Sequence, residues 1–166
     1  SRPTIGRVLT GDEISVSLQI PFVMGGHKML GSDDIMREVA DKYGTMTLDD
    51  LLAAFGERAA VVTMAALVDE TIEAAVERIK AEAVEAVKLG ARCILLDDSG
   101  VIAGQVHWID PLMITAAVDS ALRENEIDGR NLRRLAGIVI RSGAMRDLHD
   151  LAMLVSLGAN AINPYM

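Results

Sequence analysis

Between Ala60 and Met166 the sequence repeats one arrangement: a short apolar run, then a stretch whose apolar residues recur every three or four positions, in most cases closed by a glycine. The runs are AVVTMAAL from Ala60, RCILLDD from Arg92, GIVI from Gly137 and NAIN from Asn160. They are continuously apolar rather than alternating, which predicts strands buried on both faces. Between them, Ile72, Val76, Ile79, Ala83 and Val87 predict the inner stripe of a long helix stopped by Gly90. Asp110 followed by Pro111 predicts a helix start, N-cap then proline, with Met113, Ala117 and Ala121 on one face. Leu148, Leu151, Ala152 and Val155 predict a third stripe, ended by Gly158. Strand and helix in strict alternation imply an α/β fold of consecutive, right-handed βαβ units around a parallel sheet. With 166 residues the chain is short of the roughly 250 of a complete (β/α)8 barrel, so one domain, barrel-like but partial, is expected.

The N-terminal third is patterned differently. Ile14, Val16, Leu18 and Ile20 alternate with polar residues, as in a half-buried strand, and Pro21 marks its end or an edge. Ser32 is a predicted N-cap, with Ile35, Val39 and Tyr43 as the stripe of the helix that follows and Gly44 as its stop. Thr47 with Asp50 predicts a shorter helix through Phe55, stopped by Gly56.

Composition excludes several function classes. A net charge of -8 disfavours nucleic-acid or anionic-membrane partners, and the cluster Arg130, Arg133 and Arg134 is expected on a solvated loop or helix end. Aromatics are 3% against 51% hydrophobic residues, so the core must be built from Ala, Val, Leu, Ile and the nine Met. The single cysteine, Cys93, allows no internal disulfide and no iron–sulfur cluster, and its apolar surroundings predict a buried, inert thiol. No run approaches the length of a membrane span, so a cytoplasmic location is expected. Dinucleotide, P-loop, zinc-protease and nucleophile-elbow motifs are all absent, and no metal partner is evident for His27 in MGGH.

Function in such folds gathers at the carboxyl ends of the strands. In the first loop there, Asp97, Asp98, Ser99, His107 and Trp108 read either as an acid/base pair with an orienting histidine or as acids capping loop amides with Trp108 as an anchor. In the second, from Arg141 to Met145, Ser142 and Gly143 are candidates for gripping an anion, although a tight strand-to-helix turn needs the same residues without a ligand. His149, one turn further on, is expected to be packed or capping. The third is Asn163-Pro164-Tyr165, where Pro164 removes a backbone donor and the turn suits presenting Tyr165 to a neighbour. No residue is assigned a catalytic role.

The stretches AVERIKAEAVEAVKLGARCILLDD (Ala75 to Asp98) and SGAMRDLHDLAMLVSLGANAINPYM (Ser142 to Met166), with the helix between them, resemble the central domain of the large, glutamine-dependent glutamate synthases. The resemblance covers about residues 60–166 and leaves 1–58 unmatched. It implies a degenerate FMN-binding-domain-like fold that binds no flavin. It also implies a non-catalytic place in glutamate biosynthesis, between a glutamine amidotransferase domain and an FMN-binding synthase domain, beside the path ammonia takes between them. FMN and an iron–sulfur cluster would belong to the parent oxidoreductase. Asp97-Asp98-Ser99 stands where the family usually has Ser-Asp-Arg, Arg141 replaces an acid, and Asp119-Ser120 replaces a His-rich patch. The other expectation is a small flavin- or phosphate-ligand-binding protein or enzyme using Asp97, Asp98 and the Arg141 to Gly143 turn. An unclosed parallel sheet adds a further one, an edge covered by the N-terminal segment or by another copy in a homo-oligomer.

Overall fold

The computed structural model describes residues 6–9, 15–25, 33–100, 106–145 and 147–165. An antiparallel pair, β1 (Gly6–Leu9) and β2 (Ser15–Leu18), precedes α1 (Asp33–Lys42) and α2 (Leu48–Phe55). Then come β3 (Ala59–Thr63), β4 (Ala65–Leu67), α3 (Ile72–Lys88), β5 (Cys93–Asp97), β6 (Val106–Trp108) and α4 (Pro111–Arg123). The chain continues through β7 (Glu126–Ile127), β8 (Arg130–Asn131), α5 (Leu132–Leu135), β9 (Gly137–Ser142), α6 (Leu148–Ser156) and β10 (Ala161–Pro164).

The four apolar runs supply the parallel sheet, in the order β10-β9-β5-β3. Neighbours in sequence are therefore neighbours in space, so the sheet winds in one direction without a switch point, as in an opened barrel. Register aligns Val62, Leu96, Ile140 and Ile162 in one row and Val61, Leu95, Val139 and Ala161 in the next, pointing to opposite faces. Val62, Leu96, Ile140 and Ile162 pack with Ile79 and Val87 of α3, Val118 of α4, Leu135 of α5 and Leu154 of α6. Leu95, Val139 and Ala161, with Cys93, pack on Val16 and Leu18 of β2, Val23, and Leu48, Leu51 and Phe55 of α2. The N-terminal third thus fills the side that a closed barrel keeps inside.

The same segment covers one edge. Ile162 donates its N–H to the Pro21 carbonyl (2.9 Å), and Val23 donates to the Ile162 carbonyl (2.8 Å). Residues 21–23 therefore extend the sheet in parallel beyond β10. Pro21 serves through its carbonyl and loses nothing by lacking an N–H. The Asn163 amide locks the contact by donating to the carbonyls of Val23 (2.8 Å) and Gly25 (3.1 Å). At the other edge β3 is bonded to β5, and Val61 is 60% exposed.

Several sequence expectations shift. AVVTMAAL is two strands, because the chain breaks at Met64 and β4 turns away to pair antiparallel with β6. The predicted stripe of α1 fails at both ends: Ile35 and Tyr43 are exposed while Ala40 is buried. In α4 the buried face is Ile114, Val118, Ala121 and Leu122, and Met113 is exposed, since a helix between two neighbours turns its branched residues inward. In α6 only Leu154 is buried, and Leu148 is 77% exposed. Its predicted stripe instead lines an open groove with Pro21, Phe22 and Ile162. The predicted N-cap Ser32, and Ile14 and His27, lie outside the described residues.

Arg133 is also not where composition put it. Arg130 and Arg134 are exposed, but the Arg133 guanidinium is nearly enclosed and donates to Asp119 (2.7 Å) and to the carbonyls of Ala136 (2.8 Å) and Gly158 (2.7 Å). It also reaches the Asn160 carboxamide oxygen (2.9 Å), which accepts from the Ile138 amide (2.9 Å). One side chain thus ties α4, α5, β9 and the turn before β10. Gly158 has φ +129°, and a Cβ there would sit 2.6 Å from Asp119 Oδ1. Arg133→Ala is expected to lower unfolding free energy in urea by about 2 kcal/mol, because it takes the side-chain donor from the Ala136 and Gly158 carbonyls and leaves Asp119 with Arg123 alone. Arg133→Lys, a point donor in place of a fork, should recover less than half of the loss.

Candidate functional site

Parallel pairing brings the carboxyl ends of β5, β9 and β10 together: Asp97 lies opposite Arg141 and Ser142 opposite Pro164. The register continues past the strands, with the Asp98 amide donating to the Arg141 carbonyl (3.1 Å) and the Tyr165 amide to the Ser142 carbonyl (3.2 Å). Asp98, Ser142 and Tyr165 are consequently placed side by side and buried.

The Asp98 carboxylate is the centre of the cluster. Its Oδ2 accepts a short hydrogen bond from the Ser142 hydroxyl. Its Oδ1 accepts a short one from the Tyr165 hydroxyl and a longer one from the Gly143 amide (3.2 Å). Ser142 Oγ in turn accepts from the Ala144 amide (3.1 Å), which orients its proton toward Asp98. Gly143 gives close approach: a Cβ there would lie 3.2 Å from Tyr165 Cε2 and 3.3 Å from the Tyr165 carbonyl oxygen, a tight fit. Burial first, then the hydrogen bond to Asp98, holds the Tyr165 phenol protonated well above its ordinary range. The Arg141 guanidinium lies over its ring at 5.2 Å.

Asp97 behaves differently from its neighbour. It accepts from the backbone amide and the hydroxyl of Ser99, both at 2.9 Å, a loop-capping arrangement, with Arg141 Nε at 3.9 Å. The candidates Asp98, Ser142, Gly143 and Tyr165 are therefore brought together. His107 and His149 are not, since both are exposed and neither bonds to Asp98. Trp108, expected as an anchor, is 49% exposed, because β6 leaves the sheet to pair with β4. Asn163 and Tyr165 turn inward, whereas Pro164 is exposed. The Tyr165 bond to Asp98 has no signal in the sequence, since it depends on the register of strands far apart in the chain.

Beside this cluster a groove of about 450 Å³ is lined by Trp108, Asp110, Leu112, Gly143, Met145 and Leu154. Asp150 also borders it, giving the groove an acidic character. Among the described residues, no group of three or more His, Cys, Asp or Glu is placed to hold a metal ion. No described helix is long and apolar enough to cross a membrane.

A parallel sheet wound in one direction, with the Asp98 cluster at its carboxyl end, defines a partial (β/α) barrel domain. Residues 27–166 match the glutamate synthase central domain, and the chain belongs to that family. The match takes in α1 and α2, beyond the stretch whose resemblance the sequence motifs carried. Among curated proteins it is similar to the glutamate synthase [NADPH] large chain of Bacillus subtilis, 29% identical over 100 residues, which is 60% of this chain and 6% of that protein. It is also similar to glutamate synthase [NADH] of Schizosaccharomyces pombe, 34% identical over 93 residues, 56% of this chain and 4% of that protein. The chain thus spans a small fraction of these relatives' length.

Two buried groups, Cys93 and Tyr165, link stability to alkaline pH. Burial pushes the Cys93 thiol from 9.0 up to about 12. A folded-state pKa above the unfolded one means that the native state holds the proton longer, so this contribution is full below pH 9 and lost as pH rises toward 12. Tyr165 adds a loss of the same sign, starting above the ordinary phenol range near pH 10. Urea midpoints should therefore be flat through neutrality and fall above pH 9, with a shallower fall in Cys93→Ala and in Tyr165→Phe.

Proposed function

We propose that this chain is a non-catalytic scaffold domain of a glutamate synthase-type enzyme of glutamate biosynthesis, acting in the cytoplasm. It holds the glutamine amidotransferase domain and the FMN-binding synthase domain in position on either side of itself. The observation that carries this reading is the Asp98 carboxylate. It takes up the Ser142 hydroxyl and the Gly143 amide, the two donors that an anionic ligand at this end of the sheet would use.

An FMN phosphate does not fit these residues. It would bring charge against a buried carboxylate whose acceptors are already matched, and Pro164 offers no amide in compensation. An iron–sulfur cluster fits no better, since Cys93 is the sole thiol and is fully buried in the sheet. FMN and the cluster are accordingly assigned to adjoining parts of the parent enzyme. Pro164 is the member of the Asn163-Pro164-Tyr165 turn left open to such a neighbour.

The acidic groove beside Trp108 favours a second reading, a small-ligand site, and its volume lies in the range of such sites. Its carboxylates, Asp110 and Asp150, disfavour a phosphorylated ligand. Titration of the purified chain with FMN, followed by flavin fluorescence and by melting temperature, tests the scaffold reading. The scaffold role predicts no saturable change in either signal. Saturable quenching with stabilisation would overturn it and make Ser142 and Gly143 ligand contacts.

A further inference from the structure

We propose that the ends of β9 and β10 form a cradle for a small carboxylate, which Asp98 fills from within the chain. The proposal rests on the scaffold reading, in which the native chain binds no external anion here. Three hydrogen bonds converge on the Asp98 carboxylate, from the Ser142 hydroxyl, the Gly143 amide and the Tyr165 hydroxyl. None of these donors belongs to the strand that carries Asp98, and each is held by something other than Asp98. The Ala144 amide orients Ser142, the Ser142 carbonyl binds the Tyr165 backbone, and the ring packs within 3.2 Å of the space a Gly143 Cβ would need. The cradle is therefore set by the backbone of β9 and β10 and outlasts removal of the Asp98 side chain.

Its chemistry selects the ligand. All three donors are uncharged, two oxygens are served, and Ser142 and Tyr165 are 0% and 8% exposed. Such a site suits one planar, singly charged carboxylate. A tetrahedral phosphate would carry surplus charge into a site without a cationic donor on its oxygens. Asp98→Gly leaves the space of an acetate, whereas Asp98→Ala, which keeps Cβ, leaves the space of a formate.

The test is thermal unfolding of the whole chain and both variants in sodium acetate, formate, phosphate and chloride at matched ionic strength. In chloride, each variant should melt on the order of 10 °C below the native chain, with buried donors left unpaired. Acetate for D98G, and formate in preference to acetate for D98A, should restore roughly 3–5 °C at about ten times the dissociation constant. The restoration is read relative to the native chain in the same salt, which removes general salt effects. Adding Ser142→Ala to D98G should abolish it.

Equal gains in native chain and variants, or a gain in phosphate without one in the carboxylates, overturn the cradle. A variant without a cooperative transition in chloride supports it if the matched carboxylate restores one, and overturns it if not. Saturable binding of FMN or phosphate by the native chain would instead overturn the scaffold reading, so the two fail separately.

Discussion

The parallel sheet can exist only because both of its faces are covered. Strands whose successive residues are all apolar have no side to offer to water, so β5 and β9 need one layer over Leu96 and Ile140 and another over Leu95 and Val139. Three crossovers of the same hand place every helix from α3 to α6 on the first face. The second is left to the N-terminal third, whose Leu18, Leu48, Leu51 and Phe55 replace what the remaining strands of a full barrel would supply. The family match, from residue 27, takes in α1 and α2 together with the whole of the four-stranded sheet.

At the carboxyl end the same economy applies to charge. A buried carboxylate is costly unless its oxygens are matched, and the strand ends supply that match from Ser142, Gly143 and Tyr165. Asp97, a single residue away, faces the loop and spends its oxygens on Ser99. Two adjacent acids thus have unrelated tasks, one closing the sheet and one starting the loop, because successive residues of a strand point to opposite sides.

What was legible in the sequence is what local patterning controls. The strands at Arg92, Gly137 and Asn160, the first half of AVVTMAAL, the caps at Thr47 and Asp110, and the stops at Gly56, Gly90 and Gly158 follow from period and punctuation, and all appear. The Asp128-Gly129 turn, with both residues at positive φ, was equally open to reading as the hairpin joining β7 to β8. Helix faces were less legible. Exposed Ile35, Met113 and Leu148 look identical in sequence to buried ones, and only the neighbours of α1, α4 and α6 decide. The enclosed Arg133 and the Asp98 cluster were hidden for the same reason. Their partners, Gly158 and Asn160 for one, Ser142 and Tyr165 for the other, come from elements far away in the chain.

The parallel addition of residues 21–23 to β10 governs the order in which the molecule can be completed. Asn163 and the Val23 carbonyl it bonds are 140 residues apart. Within this stretch the segment that closes the edge of β10 is therefore made long before the strand it docks on. Val16, Leu18 and Val23 have early partners in Leu48, Leu51 and Phe55 of α2, but the sheet residues they cover, Leu95, Val139 and Ala161, come later in the chain. Closing that edge is a contact of very large sequence separation, the kind whose loop-closure cost makes it slow to form.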